Sequence, residues 1–265
     1  MGAPGELTID QIKNLFDVKG KVVVITGGAG FLGHALAKGF AANGADVVVT
    51  SRKLESLEAV AKECTDLGVK ALPIACDVTS EASQQEMVDK VLAEFGKIDV
   101  LVTAAGIADR HPAEDFPLDS FEKVMTSNVT GTFITCKLVG KQMIKQGYGK
   151  IITVGSVRGE LGHPGGYAAY GTTKGAVHLL TKQLSTEWAK YHINVNCIAP
   201  CIFWTPLTQQ VLEDEKLKQI FLSRIPWGRA AVPDDMIGTV LYLSSAASDF
   251  VTGAIVPVDG GSVAG

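Results

Sequence analysis

Seven apolar, β-branched runs alternate with longer stretches of helical period, and this predicts an α/β fold: a doubly wound parallel seven-stranded sheet with helices on both faces. Three observations carry the expectation. The runs are almost continuously apolar, as strands covered on both faces must be. The stretches between them are long enough for right-handed crossover helices. No Pro- or Ser-rich linker, repeat or low-complexity tract divides the 265 residues, so they read as one domain.

The series opens with KVVVIT at 21–26, followed by helical period over 31–43. DVVVT at 46–50 is the second strand and 53–68 the second helix. A third strand at 70–76 precedes a helix over 80–95, and IDVLVT at 98–103 is the fourth strand. A long helical stretch, 119–146, leads to KIITV at 150–154, and another, 167–191, leads to the strand at 193–198. Helical period over 233–247 comes before the last strand at 254–258. The segment 202–228 interrupts the alternation and carries Phe203, Trp204, Leu207, Val211, Leu212, Leu217, Ile220, Phe221 and Trp227. Two readings stand for it: an insertion covering the substrate, with Trp204 against it, or a helix pair packed on the domain.

Composition narrows the function. Apolar residues at 46% and charged residues at 20% are a globular mix, not that of an extended disordered chain. Twenty-four Lys and Arg against 28 Asp and Glu give a net charge of −4, which supplies no broad basic field for nucleic acid or an anionic membrane. No apolar run approaches the roughly 18 residues of a membrane-spanning helix. The opening residues lack the basic-then-apolar order of a signal peptide, and Glu6 breaks the myristoylation pattern. The five cysteines, at 64, 76, 136, 197 and 201, form no CxxC pair and read as buried free thiols rather than a metal site. A reducing, cytoplasmic compartment is expected, where the Asn128-Val129-Thr130 sequon goes unglycosylated.

TGGAGFLG at 26–33 directly follows the first strand and opens the first helix. Glycines there let the backbone approach a pyrophosphate whose charge the helix N-terminus stabilises. This is the setting of a Rossmann dinucleotide site, with Gly27, Gly30, Phe31 and Leu32 as candidate contacts and Gly33 allowing close helix–sheet packing. The second strand ends Ser51-Arg52-Lys53 with no acid to accept from a ribose hydroxyl. Arg52 can instead bond a 2′-phosphate in fork geometry, so NADP(H) is preferred; the other reading is a solvated basic turn that leaves NAD(H) usable. Asp77, in the Cys76-Asp77-Val78 turn, either meets the adenine amine or caps a helix.

Tyr170 and Lys174 lie four apart, on one face of a helix. A phenol ionises at about 10, and an ammonium beside it favours the phenolate, which makes the pair a candidate proton-exchange group. Ser156, at the end of the fifth strand, can hydrogen-bond a substrate oxygen, and Asn128, in the preceding helix, can hold a water linking Lys174 to solvent.

At this point the sequence resembles the short-chain dehydrogenase/reductase family over nearly its whole length. The matching pieces are TGGAGFLG, CDV at 76–78, Asn128-Val129-Thr130-Gly131, Ser156, YGTTK at 170–174, Ala199-Pro200 with Thr205, and VTGAIVPVDGG at 251–261. The resemblance implies Tyr170 as general acid/base, Lys174 favouring its phenolate and binding the nicotinamide ribose, Ser156 orienting the reacting oxygen, and Asn128 completing a proton relay. Tyr167 has Gly171 four residues on and cannot take the paired role. Ala105, Gly106, Pro200 and Thr205 fall beside the cofactor, and a homotetramer with 167–191 at an interface is implied. The chain departs from the family at Phe31, in place of a loop glycine, at Thr103-Ala104-Ala105-Gly106, in place of NNAG, and at Cys201, in place of the glycine after Pro200. Ser156 and Tyr170 are also 14 residues apart, one more than is common.

Within the family, 105–116, 156–165, 174–182 and 224–235 are similar to gluconate 5-dehydrogenase-like members. Arg110 and Arg158 follow strand ends where substrate would sit, and Arg158 can fork a carboxylate or pair with Glu160 or Asp109. His111 and His163 line or cap loops. The expected reaction is reversible hydride transfer between NADP and a secondary alcohol of a small anionic polyol or hydroxy acid. Hydroxyacyl thioesters or apolar ring alcohols, and a non-catalytic cofactor-binding scaffold subunit, are the alternatives.

Overall fold

The computed structural model describes residues 7–204, 213, 218–219 and 222–264. Its seven strands are β1 (Val22–Thr26), β2 (Asp46–Ser51), β3 (Ala71–Ala75), β4 (Val100–Thr103), β5 (Gly149–Val154), β6 (Ile193–Pro200) and β7 (Ile255–Val258). They form one parallel sheet in the order β3-β2-β1-β4-β5-β6-β7, as the alternation predicts. Successive side chains on a strand face opposite ways, and the core divides accordingly. Val23 and Ile25 of β1 join one cluster, with Leu36, Phe40 and Leu57. Val22 and Val24 join the other, with Met87, Val91 and Met143.

The helices are α1 (Ile9–Lys13), α2 (Phe31–Ala42), α3 (Leu54–Thr65), α4 (Glu81–Phe95), α5 (Leu118–Met125), α6 (Gly131–Gln146), α7 (Ala168–Trp188) and α8 (Asp234–Ser244). Two depart from the sequence reading. The short α1 has no buried face and was not expected; a capping box between Thr8 and Gln11 starts it. The stretch 119–146 is not uniform: a π-turn, Thr126–Thr130, joins α5 to α6 and holds Asn128.

Chain order reverses at β1, which lies between β2 and β4. The crevice beyond the carboxyl ends of β1 and β4 is where such sheets bind ligands. Of the segment 202–228, residues 205–212, 214–217, 220 and 221 lie outside the described residues, and with them Thr205 and most of the expected cover. Phe203 pairs with Ala231 in an isolated bridge, and Arg229 forks Asp235 at 2.7 and 2.8 Å, which ties the returning chain to α8. Among the described residues, no helix is long and apolar enough to cross a membrane.

Candidate active site

The glycine loop is shaped first by its own chain. Gly27 has φ +70°, and a Cβ there would lie 2.8 Å from the N and Cα of Ala105. A Cβ on Gly28 would lie 2.7 Å from that of Val49, and one on Gly33 would run into the Gly27 carbonyl. Gly30 differs. It is the N-cap of α2, with an ordinary φ of −75° and no side-chain cap, so the first-turn N–H groups at Phe31 and Leu32 are left for an anion.

At the other end of the crevice, Arg52 is exposed just past β2, beside Ser51, whose hydroxyl donates to the Lys53 carbonyl at 3.3 Å. Asp77 does not cap α4; Ser80 does, through the Ser83 N–H. The Oδ1 of Asp77 instead closes a local turn, accepting from the backbone N–H and hydroxyl of Thr79 at 2.9 and 2.8 Å. These bonds hold its carboxyl below the usual range, with the Arg52 charge adding to them. The Val78 carbonyl accepts from Gln84 at 2.6 Å, which fixes this turn against α4. The loop, the uncapped helix end and the basic strand end together fit a dinucleotide.

The candidate reacting groups converge from separate elements. Tyr170 and Lys174 are one turn apart near the start of α7, with the ammonium 5.4 Å from the phenol ring centroid. Lys174 is buried, and its Nζ donates to the Val154 carbonyl at 2.7 Å. Ser156 follows β5; its Oγ donates to the Pro200 carbonyl at 3.3 Å and accepts from the Arg158 N–H at 3.1 Å. A Cβ at Gly106 would come within 3.2 Å of Asn128 Oδ1 and 3.9 Å of Lys174 Nζ, so this residue must stay small.

Asn128 holds the loop that follows Gly106. Its Oδ1 accepts from the Ile107 N–H at 2.8 Å, and its Nδ2 donates to the Ile107 carbonyl at 2.9 Å and to Thr173 Oγ1 at 3.0 Å. Both amide protons serve the protein, so the side chain clasps the loop beside Lys174.

Ser156, Tyr170 and Lys174 share a cavity of ≈ 540 Å³ with Leu32, Gly106 and Pro200. Arg110 and Arg158 reach it as expected, and so does Arg224, which sequence reasoning missed. Its signals were membership of the suspected covering segment and its place at the start of the 224–235 stretch. Trp204 is not part of that lining. Phe203 lines the cavity while Trp204 is exposed, because the bridge to Ala231 fixes the alternation and sends the two rings opposite ways. Cys201 departs from the buried thiols expected: it is half-exposed on the cavity wall, unlike Cys64, Cys76, Cys136 and Cys197, and partial burial pushes its thiol up to about 11.

The ion pairs weighed for Arg158 do not form. Glu160 faces His178 at 3.6 Å, and Asp109 pairs with His111 at 3.3 Å and accepts from Ser120. Arg158 donates to the Gly162 carbonyl at 3.3 Å. Arg110 stands 4.6 Å from the centroid of Tyr167, which in turn packs edge-on to Tyr170. His163 accepts from the Gly165 N–H and helps cap the loop. The loop turns at Gly166, at φ +73°, which packs on the backbone of His111.

A family model described as enoyl-(acyl carrier protein) reductase matches residues 28–262. The 2-dehydro-3-deoxy-D-gluconate 5-dehydrogenase of Dickeya dadantii is 40% identical over 257 residues, covering 96% of this chain and 100% of that protein. A solved gluconate 5-dehydrogenase from Burkholderia cenocepacia, in complex with NADP and tartrate, is 37% identical with a TM-score of 0.91, covering 95% of this chain and 98% of that one. An NAD+-bound xylitol dehydrogenase is 36% identical with a TM-score of 0.88, over 92% and 99% of the respective chains. The chain belongs to the short-chain dehydrogenase/reductase family. It is an oxidoreductase that works with a nicotinamide cofactor, which closes the scaffold alternative.

Proposed function

We propose that the protein reversibly oxidises a secondary alcohol of a sugar acid, with NADP as the preferred cofactor. The observation that carries this is the cavity itself: Ser156, Tyr170 and Lys174 face three arginines, and among the described residues no carboxylate lines the space. The names of the Dickeya and Burkholderia relatives support the same substrate class.

The bound nicotinamide supplies the hydride acceptor. The chain's own residues handle the oxygen and its proton. Ser156 Oγ donates to the reacting oxygen once it turns from the Pro200 carbonyl. The Tyr170 phenolate takes the hydroxyl proton as the carbonyl forms, and Lys174 stabilises the charge on that phenolate. Asn128 and Gly106 fix the loop beside Lys174, so the ammonium is held before substrate arrives. Arg158 forks the substrate carboxylate, with Arg110 braced on Tyr167 beside it.

Initial rates of reduced-cofactor formation with D-gluconate, run with NADP and with NAD, test the reading. A rate with sugar acids supports it; turnover of apolar ring alcohols or hydroxyacyl thioesters in their place overturns it. That rival draws on Ile107, Val157, Ile202, Phe203 and Ile225 in the cavity wall. Arg158→Ala is expected to raise the KM for an acidic substrate about tenfold and to leave that of a neutral polyol within about twofold. An equal rise for both would make Arg158 structural. Arg52→Ala is expected to weaken NADPH about tenfold more than NADH; an unaltered ratio of the two dissociation constants would remove the cofactor preference.

A cytoplasmic homotetramer is the inferred state. Exposed Leu118, Phe133 and Leu179, on α5, α6 and α7, are apolar surface that partner subunits would cover. The free thiols suit a reducing compartment.

A further inference from the structure

Where the fold uses an arginine structurally it supplies a carboxylate, as for Arg229 on Asp235. Arg110, Arg158 and Arg224 are treated otherwise. All three line the cavity that holds Ser156 and Tyr170, and among the described residues no Asp or Glu lines it with them. Glu114 and Glu160 sit in the adjoining groove, which Arg110 and Arg158 also border, and Glu160 faces His178. Among the described residues, none of the three guanidinium groups forms an ion pair. The charge of Arg224 bears on Arg158, and all three bear on His163, whose imidazole is lowered by burial and by their charges.

Three cations with no carboxylate partner among the described residues are more than one substrate carboxylate needs. A carboxylate accepts two parallel bonds from a guanidinium fork, and a second fork can share its outer lone pairs. A third guanidinium in the same space would be left without a partner as substrate and cofactor displace its water. Lys174 adds positive charge but is engaged with the Val154 carbonyl and the reacting groups.

We propose that the physiological substrate carries two anionic groups on its hydroxylated chain, the second being a carboxylate or a phosphate. Arg158 and Arg110 take the first, and Arg224, from the chain returning to α8, takes the second. This rests on the sugar-acid reading above and narrows it from acids with one charge to acids with two.

The test is steady-state kinetics on four polyols with NADP: D-gluconate with one charge, D-glucarate with a second carboxylate, 6-phosphogluconate with a phosphate, and neutral xylitol. The expected result is a KM for one of the two doubly anionic acids at least about tenfold below that for D-gluconate. Which acid leads identifies the second group. Arg224→Gln is expected to raise that KM about tenfold and the D-gluconate KM less than about threefold, with Arg224→Lys in between, since it keeps the charge but loses the fork. Arg224 is exposed, so the exchange leaves the core intact.

The proposal is overturned if D-gluconate is used as well as or better than both doubly charged acids. It is also overturned if Arg224→Gln raises all KM values alike, or acts on the KM for NADP instead. Turnover of xylitol with no turnover of any acid is a different failure: it removes the sugar-acid reading, and this proposal with it.

Discussion

Replacing Tyr170 by Phe is expected to lower kcat by about a thousandfold or more, within the range that a positioned acid/base contributes, while dinucleotide binding stays near that of the unaltered protein. The exchange removes one oxygen and keeps the ring, which packs edge-on to Tyr167 with centroids 6.1 Å apart. Lys174 keeps its bond to the Val154 carbonyl, 2.7 Å long and independent of the phenol. Ser156 keeps Pro200 and Arg158 as partners. What is lost is the group that exchanges the proton, so the change falls on kcat rather than on the cofactor dissociation constant, which fluorescence titration reads separately. A residual rate above about a tenth would show that another group acts as base. Tyr167 is the neighbour to suspect, yet burial raises its phenol above the usual value, against the opposing charges of Arg110 and Arg158.

Gly27→Val is expected to damage the molecule itself. At φ +70° any side chain is strained, at about 1–2 kcal/mol for this region. A Cβ would also lie 2.8 Å from two backbone atoms of Ala105 and 2.9 Å from the Ala104 carbonyl carbon, none of which can turn aside as a side chain does. A total of about 3 kcal/mol corresponds to a fall in melting temperature of roughly 6–10 °C for a chain of this size. Dinucleotide affinity falls as well, because the same displacement moves the loop opposite Ala105 and Gly106. Gly30→Ala is the control. Its backbone is unstrained and its Cβ would meet only the Gly27 carbonyl, at 3.1 Å, so it is expected to keep the melting temperature within about 2 °C. A melting temperature for Gly27→Val as high as that of Gly30→Ala would show that the loop is not locked against β4 as described.

The sheet and the loop were legible in the sequence for a common reason: each is written in local terms. Strand burial appears as runs such as Val22-Val23-Val24-Ile25, and the left-handed turn appears as Gly27. The placing of Tyr170 and Lys174 on one helix face was legible because four residues make one helical turn, and α7 is unbroken there. Features that depend on distant chain were not. Nothing near Arg224 says that it will face Arg158, sixty-six positions earlier in numbering. Phe203 and Trp204 are adjacent aromatics, and only the pairing with Ala231 decides which enters the cavity. The clasp of Asn128 on Ile107 was hidden because the helical period through 119–146 shows no break, and α1 was hidden because it is five residues long and buries none of them.

The π-turn at Thr126–Thr130 bears on how this chain can change in length. A helix turns by about 100° per residue, so the wider turn resets the phase between α5 and α6. Deleting one residue there would let a regular helix form and would leave the buried faces of α5 and α6 as they are, since the residue removed is the one the wider turn accommodates. Val124, Ile134 and Leu138 would stay in the core, and Asn128 would lose Ile107. The extra residue of that turn therefore serves the clasp beside Lys174 and not the packing of the two helices.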